Sequence, residues 1–185
     1  MKYNMKSIKL LRIFEIRNQV KIISIMILNY LGGQVMAQEN NIRKEIRTEI
    51  IINANQQDVW KVLSDFEKYP EWNPFILDMK GKAVKDEKLE VSLLLKEDKT
   101  FDIKPTVQKA EEGSYFEWYG KSPLGFFNGR HYFKIEKIGD NQVKFIHGER
   151  FTGWLVRPIL KKIGENTREG FIKMNKALKE RVEEK

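Results

Sequence analysis

The chain has 185 residues, of which 41% are hydrophobic and 32% charged: enough for one ordinary domain and too few for two. It contains no cysteine, which excludes disulfides, thiolate metal sites, a cysteine nucleophile and a cysteine-linked lipid anchor. The formal charge is +8, but residues 1–37 hold a net +5 of it, and the remaining +3 is spread among interspersed Lys and Glu. Nucleic acid, which needs a clustered basic face, is therefore not an expected partner.

Residues 1–37 read as a signal peptide. Lys2, Lys6, Lys9, Arg12, Arg17 and Lys21 precede a short apolar run, Ile22–Leu31, and then Val35 and Ala37 at small-residue cleavage positions. The run falls short of the ~20 residues a spanning helix needs. The expectation is cleavage after Ala37, a mature domain over 38–185, and a secreted or periplasmic location. The alternative is an uncleaved N-terminal membrane anchor.

The mature chain begins with a short polar lead. The β-branched run Ile46–Ile52 reads as strand one. Asn55 caps a short helix over Gln56–Ser64, with Val59, Trp60 and Leu63 on one apolar face. The stretch 65–75, with two prolines and four aromatic rings, reads as a turn or a second short helix with rings turned inward. A short strand around 76–84 follows. Five more strands alternate with period two, over 89–95, 101–107, 115–119, 131–136 and 143–151, as expected of an antiparallel meander wet on one face. Between them, 120–129 forms a long hairpin loop exposing Leu124, Phe126 and Phe127. The last segment, Leu155 to about Glu183, carries apolar residues at steps of three and four and is a helix roughly 40 Å long. Gly164 and Gly170 within it require a packing reason.

This pattern predicts an α+β fold in which a curved antiparallel sheet grips one long C-terminal helix. A single helix cannot fill such a sheet, so aromatic rings or a ligand must. The inward phase carries Phe101, Phe116, Trp118, Phe133, Phe145 and Phe151, and the loops add Trp72, Phe75, Phe126 and Phe127. Phe171 and Met174 of the helix complete the expected apolar lining. Three inward residues are polar: His131, His147 and Glu149. Unpaired they would each cost a few kcal/mol, so they pair with one another, with water or with a ligand. A metal site would want three converging ligands with supporting partners, and none is expected. General acid–base work by His147 with Glu149 is the chemical alternative. Glu117 and Tyr119, in the opposite phase, are expected to be solvated. No phosphate-binding loop, dinucleotide fingerprint, nucleophile elbow or zinc-protease helix is present, and no cofactor is expected.

The order of PEWNPF, EWYGKSPLGFFNGRHYF, KFIHGERFTGWL and REGFIKMNKALKERVE resembles the SRPBCC superfamily, the START-like, polyketide-cyclase/dehydrase and Bet v 1-like helix-grip group, over residues 44–183. The resemblance implies a seven-stranded antiparallel sheet around the C-terminal helix, with two small helices between strands one and two. It also implies a cavity for lipids, polyketides or other hydrophobic small molecules. Some members of that group are cyclases or aromatases, and fold alone does not choose between binding and catalysis. Binding of a hydrophobic small molecule is the expected function, and a cyclase or dehydratase using His131, His147 and Glu149 the alternative. Membrane contact is open through residues 124–127 or through an uncleaved N-terminus.

Overall fold

The computed structural model describes residues 44–96 and 99–184; the expected signal peptide and the expected cleavage after Ala37 lie outside them. The β-branched run forms β1 (Lys44–Ile52). Asn55 ends it and starts α1 (Gln56–Ser64): its side-chain oxygen accepts the amide of Asp58 at 2.9 Å. Phe66–Lys68 makes one 3₁₀ turn, and Tyr69–Trp72 one turn of helix, α2, with Pro70 in its first turn. The aromatic-rich stretch is thus a pair of short turns, its rings anchored by a 2.6 Å bond from the Tyr69 hydroxyl to the Leu63 carbonyl.

The strands β2 (Ile76–Lys80), β3 (Glu90–Lys96) and β4 (Lys99–Ile103) pair in that order. β5 (Thr106–Glu111), β6 (Tyr115–Gly120), β7 (Asn128–Gly139) and β8 (Gln142–Thr152) join β1 in the order β1-β8-β7-β6-β5. All pairings are antiparallel. There are eight described strands rather than seven because the expected strand over 101–107 divides at Pro105, which has no amide hydrogen to give the ladder. The divide is shallow: Lys88 bridges Thr106, and the Leu89 amide bonds the Pro105 carbonyl at 2.9 Å, linking the two sheets.

α3 (Val156–Glu183) lies in the concave face. Its C-terminal half buries Gly170, Phe171, Met174, Asn175, Leu178 and Val182, one stripe at steps of one, three and four. Gly170 has its packing reason: a Cβ there would overlap the Phe75 ring, which is buried against the helix backbone. In the N-terminal half, Ile159, Leu160 and Ile163 are only half-buried. That end of the helix overhangs open space, and the cavity lies there.

The cluster expected to line a cavity along its whole length is solid at the other end. Phe116, Phe133 and Phe145 lie near-parallel across adjacent strands, centroids 6.3 and 5.8 Å apart, and are almost wholly buried. Phe171 and Met174 close over them with no exposure. These five are core, because cross-strand stacking leaves no gap between them.

Candidate functional site

A cavity of about 380 Å³, open on one side, remains between β3, β4, the 120–127 segment, the ends of β6 and β8, and the first half of α3. This is within the usual range for small-molecule sites. Its walls are Phe75, Leu93, Leu95, Ile103, Trp118, Phe127 and Phe151, with Ile163 and Thr167 from α3. Phe101 lines its edge and is 56% exposed, so it is a rim residue rather than an inward one. Asp102, Lys104 and Lys121, all exposed, mark the same rim. Among the expected lining residues, Trp72 packs edge-on against Tyr69, away from this space, and Phe126 packs against Trp154 outside it. The mouth therefore lies between β4 and the 121–123 loop. A wider groove of about 710 Å³, between α1 and residues 81–85, is open to solvent.

One ionisable side chain reaches the cavity from a buried polar chain: Glu149. Its neighbour across β7 and β8 is His131, whose Nδ1 is 3.6 Å from Glu149 Oε2. His131 Nε2 meets His147 Nε2 at 2.8 Å. His147 Nδ1 lies 3.1 Å from Asn175 Oδ1, and the Asn175 amide nitrogen donates to Thr48 Oγ1 at 2.9 Å. The Thr48 hydroxyl donates to the His147 carbonyl, 3.3 Å away. His131 is sandwiched on Trp118 (4.3 Å, 6° between planes) and His147 on Phe171 (3.8 Å, 18°). Both imidazoles are out of contact with solvent, while the Glu149 side chain keeps 20% exposure toward the cavity.

This chain has a direction. Asn175 uses its nitrogen on Thr48, so its oxygen must accept from His147, which places a proton on His147 Nδ1. The other nitrogen of a neutral His147 then accepts, so His131 donates through Nε2. The lone pair of His131 is left on Nδ1, aimed at Glu149. A carboxylate would face that lone pair as one acceptor facing another, which disfavours the charged form; at 3.6 Å the two are in contact but not hydrogen-bonded, so the proton of a neutral carboxyl stays available to the cavity.

Burial acts the same way on every member. It pushes the Glu149 carboxyl up to about 8 and His131 down to about 3. It also holds His147 well below its usual value, with the neighbouring His131 adding to the effect. The contact between His131 and Glu149 is therefore one between neutral partners at neutral pH, not a salt bridge. Gly129, opposite Phe151 on β7, makes room for the acid: a Cβ there would overlap Glu149 Oε1.

The sequence reading missed Asn175 and Thr48. Thr48 is the one polar residue in the inward phase of Ile46, Ile50 and Ile52, and Asn175 stands in the apolar stripe of α3, so both had a signal in the pattern. Glu117 corrects an expectation. It is buried on the outer face, 2.8 Å from Arg130 and accepting the Tyr115 hydroxyl at 2.8 Å, rather than solvated. No group of three or more metal-ligating side chains converges among the described residues.

The family model for "Polyketide cyclase / dehydrase and lipid transport" matches residues 43–183. The chain belongs to this family, within the SRPBCC superfamily. No curated protein matches it. Solved structures share the family's helix-grip fold. A START superfamily protein from Mycobacterium smegmatis aligns with TM-score 0.58 at 20% identity, over 76% of this chain and 97% of that one. The aromatase/cyclase Zhui from a Streptomyces species aligns with TM-score 0.61 at 9% identity, over 76% and 94%. Norcoclaurine synthase from Thalictrum flavum, in complex with dopamine and hydroxybenzaldehyde, aligns with TM-score 0.59 at 14% identity, over 81% and 92%. At these identities the likeness is one of fold.

Proposed function

We propose that this SRPBCC domain binds a small, mostly apolar carbonyl compound, whose oxygen accepts the proton of Glu149. The observation that carries this reading is the cavity's polar content: an aromatic and aliphatic chamber with one carboxyl group inside the rim, beside a histidine lone pair that disfavours its carboxylate form. A neutral acid in an apolar pocket rewards an acceptor and has no use for a bare hydrocarbon. That a neighbour of the same fold holds an aromatic aldehyde, hydroxybenzaldehyde, agrees in kind.

A cyclase or dehydratase working through His131 and His147 has less support. Neither ring lines the cavity, and their hydrogen-bond chain runs away from it to Asn175 and Thr48. The histidines pack beside Glu149 rather than reach a substrate, and burial keeps the acid neutral. The N-terminal basic and apolar pattern supports placing the protein in the periplasm or outside the cell.

The test is a matched titration. An aromatic ketone, its parent hydrocarbon and the corresponding primary amine are titrated against the full chain below and above pH 8. The ketone should bind about three- to tenfold tighter than the hydrocarbon below pH 8, the worth of one net hydrogen bond, and lose that margin above it. Glu149→Gln, which still donates but does not titrate, should keep the margin at both pH values; Glu149→Leu should abolish it. Equal affinity for ketone and hydrocarbon at every pH would sink the proposal.

A further inference from the structure

Beside the cavity rim lies a patch with no part in holding the ligand. Leu124, at the tip of the 121–127 loop, is 85% exposed and held at φ 53°, a left-handed conformation that a leucine adopts only under strain. Trp154 is 71% exposed and packs edge-on to Phe126 at 5.0 Å. The two segments are locked together: the Leu155 amide bonds the Phe126 carbonyl at 3.0 Å. The same loop sends Ser122, Pro123 and Phe127 into the cavity wall. The two segments that meet at this tip carry Lys121, Arg157, Lys161 and Lys162, all exposed, and over 121–127 and 153–164 they contain no acidic residue. None of these four cations is in a salt bridge with any described residue, although cations elsewhere on the surface, such as Arg130 and Lys144, are paired.

We propose that this tip docks the protein on an anionic lipid bilayer, with Leu124 and Trp154 entering the interfacial layer and the four cations facing the headgroups. A tryptophan beside a large aliphatic side chain suits the boundary between headgroup and acyl chain. Unpaired lysines and arginines within a Debye length of an anionic surface add attraction that neutral lipid does not supply. At 85% and 71% exposed, Leu124 and Trp154 stand out into solvent rather than lining the cavity, which favours a bilayer surface over an acidic protein. Its position at the mouth would let an apolar ligand pass between bilayer and cavity without crossing water. This last step rests on the ligand reading above; the docking itself does not.

The experiment uses the full chain and the emission of Trp154, so attachment through residues 1–37 cannot imitate the result. Vesicles of phosphatidylglycerol with phosphatidylcholine are compared with phosphatidylcholine alone, some carrying brominated acyl chains as quenchers. Trp154→Phe isolates the Trp154 signal from that of Trp60, Trp72 and Trp118. The expected result is a blue shift and quenching of Trp154 on anionic vesicles only. Apparent affinity should weaken several-fold in Leu124→Asp, and likewise in the triple variant Arg157→Gln, Lys161→Gln, Lys162→Gln. A Trp154 that stays in water while the protein is vesicle-bound overturns the proposal. So does a response insensitive to the three cations, or one given by polyglutamate and not by vesicles. Ketone binding is titrated separately without vesicles, so a failure there touches the ligand reading alone.

Discussion

At the scale of single residues, the site depends on which atom holds each proton. Asn175 and Thr48 orient the chain from the closed end, so Asn175 is a positioning residue that acts through His147 and His131 on Glu149. Replacing it with leucine leaves His147 Nδ1 without a partner and should cost about 1–3 kcal/mol in urea denaturation. It also frees His147 to reverse its tautomer, after which His131 can donate to a Glu149 carboxylate. The ketone margin in Asn175→Leu should therefore disappear at lower pH than in the parent. A merely structural role would lower stability and leave that pH unchanged. The inward phase of His131, His147 and Glu149 was legible from period-two alternation. Their joining to Asn175 was not, because a helix and a strand 28 positions apart meet only through the fold. Glu117 shows the converse limit: alternation gives the face of the sheet, while burial there came from Arg130 and Tyr115 on the same face.

At the scale of elements, two close approaches shape the cavity. Phe75 reaches α3 only because residue 170 lacks a side chain. Gly170→Ala gains helix propensity of up to about 1 kcal/mol, but it must displace a fully buried ring, and overpacking of that kind costs about 1–3 kcal/mol. A net loss of stability is expected in thermal or urea unfolding, and a stabilised variant would contradict the packing described. Gly129→Ala should leave stability less affected, since Glu149 can swing toward the cavity, but should weaken the ketone preference by moving the acid. The long helix, its buried stripe and the need for a close contact at one glycine were readable from sequence. Division of one strand into β4 and β5 was signalled by Pro105, yet alternation continued across it and masked the break. What alternation could not give was where along the sheet the interior is full. Phe116, Phe133 and Phe145 share the inward phase with Trp118 and Phe151, but the first three stack into core while the last two face the cavity.

At the scale of the whole molecule, the same buried groups make stability depend on pH in two directions. Glu149 is raised from 4.5 to about 8 in the folded state, so its contribution is full below about pH 4.5 and is lost as pH climbs through about 8. The histidines are lowered from 6.5, so theirs is full above about pH 6.5 and is lost as pH falls toward their folded values. Two histidines outweigh one acid between these limits, which places the maximum near pH 6.5. From there to pH 8 the loss should be about 2 kcal/mol, at one proton's worth per pH unit. Urea titrations across this range should show the decline in the parent and a flat line in Glu149→Gln.

The central claim is that Glu149 is a neutral acid facing an apolar cavity. Carboxyl-carbon NMR of the full chain labelled at glutamate side chains tests it without any ligand. The Glu149 resonance, assigned by its absence in Glu149→Gln, should titrate with a midpoint of about 8, well apart from the surface glutamates. A midpoint in the ordinary carboxylate range, near 4.5, would mean a charged Glu149 at neutral pH and would contradict the account.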